Sequence, residues 1–446
     1  MQQVSAARRA AFSILLAVER GQGHSDDLLR AHAVSKLSAP DRNLATALVL
    51  GVLRWQITLD GRLRPLLKKP NAKLDAEVLI ALRLGAFQLL HMNRIPARAA
   101  IDESVELAKQ AGHRFASGMV NAVLRKLSLG AVAEAAASDF AAFPQWMTER
   151  WTRIFGEETM CAVCRHGQLQ PSLAVCIEDQ QAEAELTEAG VVLAPGLVLT
   201  AARSVVSGEI TATRAMREGR VRVQDEGSQL VAEIAGQGSA ILDCCAAPGG
   251  KTLILAERNP QARIVACEAS AARLEAMRKR LGPLGDRVEC SLADAAQLSY
   301  QDEFDLVLAD VPCSGTGTLG RNPEIRHRLR IDDLARQAER QRLILATVLR
   351  AARSGGRVLY STCSLEPEEN EQVIARVLSE NPTARVASIR DRLVEMQRGG
   401  ILAAGAGEKL QRCITPEGYL RLFPGAFGSD GFFIALLEKA EGSERR

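Results

Sequence analysis

Hydrophobic residues recur at helical spacing along the first 129 positions of the chain. Phe12 and Leu15 share one face of a helical projection, and the same three- and four-residue spacing continues through the later segments. Proline-containing turn signals at residues 38–41 and 69–71 divide these segments. The pattern therefore predicts an all-α domain over residues 1–135.

A mixed pattern follows the helical region. Short runs rich in β-branched residues, at positions 191–193 and 221–223, alternate with helical stretches. This mixture predicts a small α+β module over residues 140–228. The alanine-rich stretch 131–137 between the two regions is interpreted as a linker or a frayed helix end.

From residue 229 onward, short apolar runs alternate with helical stretches in βα order. The alternation predicts a parallel, doubly wound α/β sheet over residues 229–440. Ligands of such sheets bind beyond the carboxyl ends of the strands, so the residues that follow each run are candidates for chemistry. The candidate strands are Ala240–Asp243, Arg263–Cys267, Arg287–Cys290, Phe304–Ala309, Arg357–Ser361 and Gly431–Leu437.

The charge of the chain is unevenly distributed. Lys plus Arg total 56 and Asp plus Glu total 53, yet residues 1–140 carry a net charge of +7 and the remainder −4. A basic excess of this size suits a partner with a phosphate backbone, although a solvated helix surface can give similar counts. The helical region is therefore the candidate phosphate-binding part.

Composition excludes several classes of protein. With 446 residues, 47% of them apolar and 24% charged, the chain is typical of a soluble multidomain protein. No apolar run approaches the roughly 18 residues needed to span a bilayer, and no secretory segment opens the chain. We therefore expect a cytoplasmic protein whose ten cysteines are reduced.

A glycine-rich loop directly follows the first candidate strand. It reads Cys-Cys-Ala-Ala-Pro-Gly-Gly-Lys-Thr over residues 244–252 and leads into a helical stretch. Paired glycines let the backbone approach a ligand closely, and the helix N-terminus together with Lys251 favours an anion. A nucleotide triphosphatase loop would need glycine where Cys245 stands, so the loop better fits the carboxylate of S-adenosylmethionine.

Carboxylates follow the next three strands at positions where a nucleoside would be held. Glu268 ends the second strand, where an acid can accept both ribose hydroxyls, and Asp294 is placed to meet the adenine. Each acid alone is more readily explained as a loop carboxylate or a helix cap, but three at consecutive strand ends favour a site. The candidate cofactor-binding residues are Cys245, Ala246, Ala247, Pro248, Gly249, Gly250, Lys251, Glu268, Asp294 and Asp310.

Two cysteines follow later strands of the same sheet. Cys313 lies in the segment Asp310–Gly317 after the fourth strand, and Cys363 lies in Tyr360–Glu371 after the fifth. A thiolate that adds to carbon 6 of a pyrimidine makes carbon 5 nucleophilic enough to take up a methyl group. An acid near ring N3, for which Asp310 is the candidate, would hold the base and offset the developing charge.

The remaining cysteines are interpreted as structural. Cys161 and Cys164 form a Cys-x-x-Cys pair near His166, but zinc would need a second pair of ligands at suitable spacing. We therefore expect no metal. The spacing of the motifs does not decide which of Cys313 and Cys363 is the nucleophile.

These motifs resemble those of the NOL/NOP/Sun family of RNA cytosine-5 methyltransferases, and the helical region resembles the NusB-like RNA-binding fold. The matching segments are Cys245–Lys251, Asp310–Gly317, Ser361–Glu371, Gln224–Ser228 and Asp430–Phe433. The resemblance implies a Rossmann-like class I methyltransferase domain that uses S-adenosylmethionine to make 5-methylcytosine in 16S ribosomal RNA. It also implies that Cys363 is the nucleophile and that Cys313 assists product release.

Three positions depart from the family pattern. Glu268 stands where Asp is common, His327 where an aromatic residue is frequent, and Phe427 where many relatives carry His. Glu268 preserves the ribose contact at slightly longer reach. The departures therefore leave the expected cofactor and thiol chemistry in place.

The resemblance also sets the expected partners. We expect a monomer that acts on 16S ribosomal RNA and binds neither DNA nor a membrane. Two alternatives stay open: a transfer-RNA cytosine-5 methyltransferase, and a NusB-like RNA-binding regulator with an idle catalytic domain. The presence of both Cys313 and Cys363 argues against the regulator.

Overall fold

A computed structural model describes residues 4–30, 34, 36–130, 140–177 and 179–440 of the chain. The linker predicted at residues 131–137 lies outside the described residues. The chain forms two compact units, one made of Met1–Gln170 with Leu319–Arg328 and the other of Pro171–Thr318 with Leu329–Arg446. The division into three domains over residues 1–135, 140–228 and 229–440 remains a prediction.

The first unit is helical, as the periodicity predicted. Its helices before residue 170 are α1 (Ala6–Glu19), α2 (Ser25–Arg30), α3 (Ala39–Leu63), α4 (Ala76–His91), α5 (Ala97–Gln110), α6 (Ser117–Ser128), α7 (Gln145–Phe155) and α8 (Glu157–Gln168). Local signals mark two of the helix starts. The Ser38 side chain accepts the backbone N–H of Asp41 at the start of α3, and Pro96 immediately precedes α5.

Close packing between α3 and α4 requires a glycine. A Cβ atom at Gly51 would lie 2.0 Å from the Phe87 ring, so only glycine lets the two helices approach this closely. Leu48 and Leu82 belong to the same buried cluster. The first unit therefore has a hydrophobic core of its own.

The second unit begins with a small sheet. Its elements are β1 (Leu173–Ile177), α9 (Gln180–Glu188), β2 (Val192–Pro195), β3 (Ala202–Ser207), α10 (Arg214–Arg217) and β4 (Val221–Val223). The strands are antiparallel in the order β2-β3-β1-β4. This arrangement is the small α+β fold that the mixed pattern predicted.

A larger sheet follows. Its strands are β5 (Ala240–Asp243), β6 (Arg263–Glu268), β7 (Val288–Leu292), β8 (Phe304–Asp310), β9 (Ala352–Thr362), β10 (Ala384–Val386), β11 (Leu420–Leu422) and β12 (Phe432–Lys439). The order along the sheet is β10-β12-β9-β8-β5-β6-β7, and β11 pairs with β12. The five strands β5 to β9 are parallel, as predicted.

The strand β12 corrects the expectation of a wholly parallel sheet. The strand predicted at Gly431–Leu437 occurs as β12, but it runs antiparallel to β9, β10 and β11. The chain reaches β12 from its neighbour β11 and not through a helical crossover, so the direction of the strand reverses.

Helices cover both faces of the larger sheet. They are α11 (Glu226–Ala235), α12 (Gly250–Arg258), α13 (Ala271–Leu281), α15 (Ile331–Ala351), α16 (Glu371–Glu380), α17 (Ile389–Arg398) and α18 (Ala406–Gln411), while α14 (Ile325–Arg328) belongs to the first unit. On β5, Ile241 packs in a cluster with Leu255, and Leu242 packs in a second cluster with Ile344. The sheet is therefore doubly wound. Within the described ranges, no helix is long and apolar enough to cross a membrane.

The segment Leu319–Arg328 packs in the first unit, although the chain reaches it from β8. Arg326 in α14 is 1% exposed, and its guanidinium carbon lies 4.0 Å from the centroid of the Phe143 ring. The guanidinium donates hydrogen bonds to the backbone carbonyls of Arg54, Ala142, Gly167 and Leu319. Burial lowers the pKa of Arg326 to about 9. These hydrogen bonds fix the segment within the helical first unit.

Candidate active site

The loop after β5 turns at Gly249 before α12 begins. The φ angle of Gly249 is 97°, in the left-handed region that favours glycine. A Cβ atom at Gly250 would lie 3.1 Å from Oε1 of Gln224, so the second glycine also permits a close approach. The loop thus has the left-handed turn and the helix start that an anion-binding interpretation needs.

Two cavities lie at this edge of the larger sheet. One of ≈ 430 Å³ is lined by residues that follow β5, β6, β7, β8 and β9, and among the predicted site residues these are Cys245, Ala247, Glu268, Asp294, Asp310, Cys313 and Cys363. The other, of ≈ 120 Å³, is lined by the predicted residues Cys245, Ala246, Ala247, Pro248, Gly250, Lys251 and Asp310. The shared lining residues place the glycine-rich loop beside the cysteines.

Lys251 and Asp310 form an ion pair between this loop and the end of β8. Lys251 Nζ lies 2.7 Å from Oδ2 of Asp310, and the Ser361 hydroxyl donates a 2.7 Å hydrogen bond to Oδ1 of Asp310. Burial disfavours the ammonium form of Lys251, but the charge and the hydrogen bond of Asp310 outweigh burial and raise the pKa of Lys251. Lys251 therefore keeps its positive charge beside the carboxylate.

Asp243 is a buried carboxyl group that sequence reasoning did not select. It ends β5, lines the smaller cavity and accepts a 2.7 Å hydrogen bond from the Thr252 hydroxyl. Burial raises the pKa of Asp243 from 3.8 to about 7, although the hydrogen bond from Thr252 opposes the rise. Its place as the last residue of the first strand is the signal that could have found it.

The raised pKa of Asp243 predicts a pH-dependent stability. Between pH 3.8 and about 7 the folded protein keeps a proton that the unfolded chain releases, so this stabilising contribution is lost as the pH rises through about 7. The melting temperature of Asp243→Asn minus that of the unchanged protein should therefore be larger at pH 8 than at pH 5. The increase should be roughly 2–4 °C for each kcal/mol of stability recovered. Thermal unfolding across this range measures the difference. Parallel curves for the two proteins would contradict the prediction.

Glu268 and Asp294 each use one carboxylate oxygen to stabilise the local backbone. Glu268 Oε1 accepts the N–H of Ser270 at 2.8 Å, and Asp294 Oδ1 accepts the N–H of Ala296 at 3.0 Å. Asp294 therefore has the helix-cap role considered for single acids, whereas the Glu268 bond stabilises the loop before the cap residue Ser270. Both side chains also line the larger cavity, so these hydrogen bonds hold the carboxylates at its wall.

Cys313 and Cys363 lie side by side at the wall of the larger cavity, with their Sγ atoms 3.4 Å apart. The parallel pairing of Asp310 in β8 with Ser361 in β9 brings the two loops together, because each cysteine follows its strand within a few residues. The hydrogen bond with Cys363, and then burial, raises the pKa of Cys313 well above its usual value. Cys313 is therefore held as a protonated thiol.

Arg273 and Arg340 also line the larger cavity, although sequence reasoning did not select them. Arg273 donates a 3.0 Å hydrogen bond to the carbonyl of Ala247 and lies 3.5 Å from Oε2 of Glu268. Its position in the first turn of the helix after Glu268 is a usable signal. Arg340 comes from the middle of α15, and nothing in the local sequence marks it.

Cys244 lines the larger cavity, but the other remaining cysteines and the two other departures from the family pattern line neither cavity. Cys164 and Cys267 are buried. Phe427 packs in the core of the second unit, and a ring nitrogen of His327 lies 2.7 Å from the carbonyl of Leu53 in the first unit. Among the residues that the structure describes, no group of three or more His, Cys, Asp or Glu side chains could hold a metal ion.

Sequence comparisons identify two families in the chain. The family described as 16S rRNA methyltransferase RsmB/F matches residues 234–438, and the NusB family matches residues 5–128. The ribosomal RNA small subunit methyltransferase B of Xanthomonas campestris pv. campestris is 35% identical over 98% of this chain and 97% of its own. The ribosomal RNA small subunit methyltransferase B of Pseudomonas putida is 32% identical over 98% of this chain and 99% of its own.

Solved structures share the fold. The crystal structure of PH0851 has a TM-score of 0.78 at 23% identity and covers 98% of this chain and 100% of that chain. NSun6 from Pyrococcus horikoshii with SFG has a TM-score of 0.55 at 18% identity and covers 67% of this chain and 99% of that chain. The family matches and the sequence relatives, which cover nearly the whole chain, confirm the family that the motifs indicated. The chain belongs to the 16S rRNA methyltransferase RsmB/F family, with a NusB family domain in its N-terminal part.

Proposed function

We propose that this protein methylates carbon 5 of a cytosine in 16S ribosomal RNA through a covalent bond between Cys363 and carbon 6 of the base. One observation carries the proposal: the sulfur atoms of Cys313 and Cys363 lie 3.4 Å apart at the wall of a cavity that Glu268 and Asp294 also line. Two adjacent thiols fit a reaction in which one attacks the base and the other assists its release.

The larger cavity suits S-adenosylmethionine. Its ≈ 430 Å³ volume lies in the range of small-molecule sites. Glu268 would accept the ribose hydroxyls, Asp294 would meet the adenine, and the glycine-rich loop of residues 245–251 would hold the methionine carboxylate. When bound, S-adenosylmethionine supplies an electrophilic methyl group on a sulfonium sulfur.

The two cysteines divide the remaining chemistry. As a thiolate, Cys363 adds to carbon 6, and the electron pair of the C5–C6 double bond moves to carbon 5, which can then take up the methyl group. Transfer of the carbon 5 proton to water restores the C5–C6 double bond and expels the Cys363 thiolate. Cys313, whose pKa is raised, keeps a proton 3.4 Å from the sulfur that must leave. This division follows the family resemblance and the position of the two thiols.

Asp310 and Lys251 are placed to balance charge on the base. Addition at carbon 6 builds negative charge on the ring, which a hydrogen-bond donor at N3 would offset. The Lys251 ammonium, 2.7 Å from Asp310, keeps its proton and offsets the negative charge that builds on the ring, while Asp310 is placed to contact N3. Ser361 fixes the other oxygen of Asp310. A base would have to leave its stack to reach this site, which favours an exposed or loosely paired cytosine.

Methyl transfer by the purified protein tests the proposal and its alternatives. We expect labelled methyl groups to pass from S-adenosylmethionine to 16S RNA and to appear as 5-methylcytosine after nuclease digestion. Cys363→Ala should transfer none, whereas Cys161→Ala in α8 should behave as the unchanged protein. Preference for transfer RNA would favour the first alternative, and binding of RNA without any transfer would favour a regulator.

The basic surface of the first unit is proposed to hold the RNA backbone. Lys68, Lys69 and Lys73 are exposed between α3 and α4. Each phosphate contact with single-stranded RNA contributes about 0.7 to the slope of log affinity against log salt, so changing all three to Gln should lower the slope by about 2. Filter binding of 16S RNA at several salt concentrations measures this slope.

A matched control removes the same charge from the second unit. Lys279, Arg385 and Lys409 are exposed there and line neither cavity, so their change to Gln should lower the slope less. Equal slopes for the two triple variants would show that the basic excess is a solvated surface. Substitution tests the role of these charges better than deletion of residues 1–135 does. Deletion would also remove the Arg54 carbonyl, which accepts a hydrogen bond from the buried Arg326.

A further inference from the structure

The residue after each cysteine is a serine, and both serines bind one buried carboxylate. The hydroxyls of Ser314 and Ser364 each donate a hydrogen bond to Oε2 of Glu369. The backbone N–H of Ser314 donates to Oε1 of Glu369 at 2.8 Å. Glu369 is 0% exposed and ends the short turn Pro367–Glu369 after β9. A single side chain therefore contacts both cysteine-bearing segments.

Gln341 extends this network to the residue before Cys313. Its Nε2 donates hydrogen bonds to Oε1 of Glu369 at 3.0 Å and to the carbonyl of Pro312 at 2.9 Å. Gln341 comes from α15 and is fully buried. The residues on both sides of Cys313 are therefore fixed through Glu369 and its direct partner.

Asn370 fixes the residues around Cys363 in the same way. The Thr362 hydroxyl donates to Oδ1 of Asn370 at 2.6 Å, and Nδ2 of Asn370 donates to the carbonyl of Ser364 at 2.9 Å. In addition, Gly317 in the other loop donates its N–H to the Cys363 carbonyl at 2.8 Å. The two loops are thus joined by side-chain and backbone hydrogen bonds that surround, but do not involve, the thiols.

We propose that Glu369 is a positioning residue that holds Cys313 and Cys363 at the separation their chemistry needs. A buried carboxylate costs free energy unless hydrogen-bond donors satisfy it. At Glu369 the donors are Ser314, Ser364 and Gln341, which are the groups that fix the ends of the cysteine segments. Burial raises the pKa of Glu369, and the serine hydrogen bonds oppose the rise. The consequence for catalysis rests on the proposed function, whereas the effect on thiol geometry does not.

A thiol-bridging reagent measures that geometry without any methyl transfer. Phenylarsine oxide condenses with two neighbouring thiols and releases water, and peptide mapping by mass spectrometry distinguishes a Cys313–Cys363 bridge from one at Cys244–Cys245. Glu369→Ala in the full chain should slow the Cys313–Cys363 bridge by about 10-fold or more, because charge-assisted hydrogen bonds to both loops are lost. Glu369→Gln keeps an acceptor for Ser314 N–H and should stay within about 3-fold of the unchanged protein.

A second buried carboxylate serves as the matched control. Glu226 accepts the backbone N–H groups of Leu197, Val198 and Leu199, so Glu226→Ala should lower the melting temperature without slowing the bridge. Should Glu369→Ala fail to fold, Ser314→Ala combined with Ser364→Ala removes the donors instead and must slow the bridge.

The positioning role is overturned if the folded Glu369→Ala protein forms the Cys313–Cys363 bridge at the unchanged rate. If Glu369→Ala does not fold, the same result with the Ser314→Ala and Ser364→Ala double variant overturns it. The two proposals can also fail separately. If the unchanged protein forms the Cys313–Cys363 bridge and Glu369→Ala slows it, but the unchanged protein never methylates carbon 5, the positioning role is supported and the proposed function is contradicted.

Discussion

Cys313→Ala should accumulate as a covalent complex with its RNA. With Cys363 intact, the bond to carbon 6 still forms and the methyl group is still taken up. The thiol that keeps a proton 3.4 Å from the departing sulfur is then missing, so the intermediate resolves slowly. A denaturing gel of protein incubated with 16S RNA and S-adenosylmethionine should show a slow band that the unchanged protein lacks.

Cys363→Ala should form neither the adduct nor 5-methylcytosine, because it removes the step that makes carbon 5 nucleophilic. The double variant Cys313→Ala with Cys363→Ala should behave like Cys363→Ala. As a control, Cys161→Ala removes a thiol of the first unit and should behave like the unchanged protein. An adduct with Cys363→Ala and none with Cys313→Ala would falsify the assignment and give the nucleophile's role to Cys313.

Asp310→Asn should lower the rate of methyl transfer by about 100- to 1,000-fold, the usual loss when a preorganised group that stabilises charge is removed. The amide keeps an acceptor for the Ser361 hydroxyl but gives up the ion pair with Lys251. Single-turnover kinetics at saturating RNA and cofactor measure the rate of transfer itself.

Two comparisons make the Asp310 result specific. Ser361→Ala loses one hydrogen bond to the same carboxylate and should cost less than about 10-fold. If Lys251 and Asp310 act as a pair, Lys251→Met combined with Asp310→Asn should be no slower than the slower single variant. Fully additive losses would mean that the two residues work independently.

The place of the site could be predicted because it depends on local patterns. β5 occurs at Ala240–Asp243, as predicted, and β6 and β8 each extend one residue beyond their predicted ends. The carboxyl ends of parallel strands meet at one edge, so residues that follow different strands could be expected together. Cys313 and Cys363, fifty positions apart, do line one cavity.

Contacts between distant segments could not be predicted in the same way. The direction of β12 depends on its pairing with β11, and the hydrophobic pattern of the sequence does not show which strands pair. Arg326 reads as an ordinary basic residue in a polar stretch, yet its carbonyl partners come from residues far away along the chain. Glu369 lies among other acidic residues, a composition typical of an exposed turn, and only tertiary packing buries it between two loops.

We propose that this chain makes 5-methylcytosine in 16S ribosomal RNA with Cys363 as the nucleophile. The most direct measurement is bisulfite sequencing of 16S RNA from cells with and without the gene, and from cells that carry the Cys363→Ala variant in its place. We expect one cytosine to lose its methyl group when the gene is absent, to regain it with the unchanged gene and not to regain it with the variant. An unaltered methylation pattern without the gene, or full methylation by the Cys363→Ala protein, would contradict the proposed function.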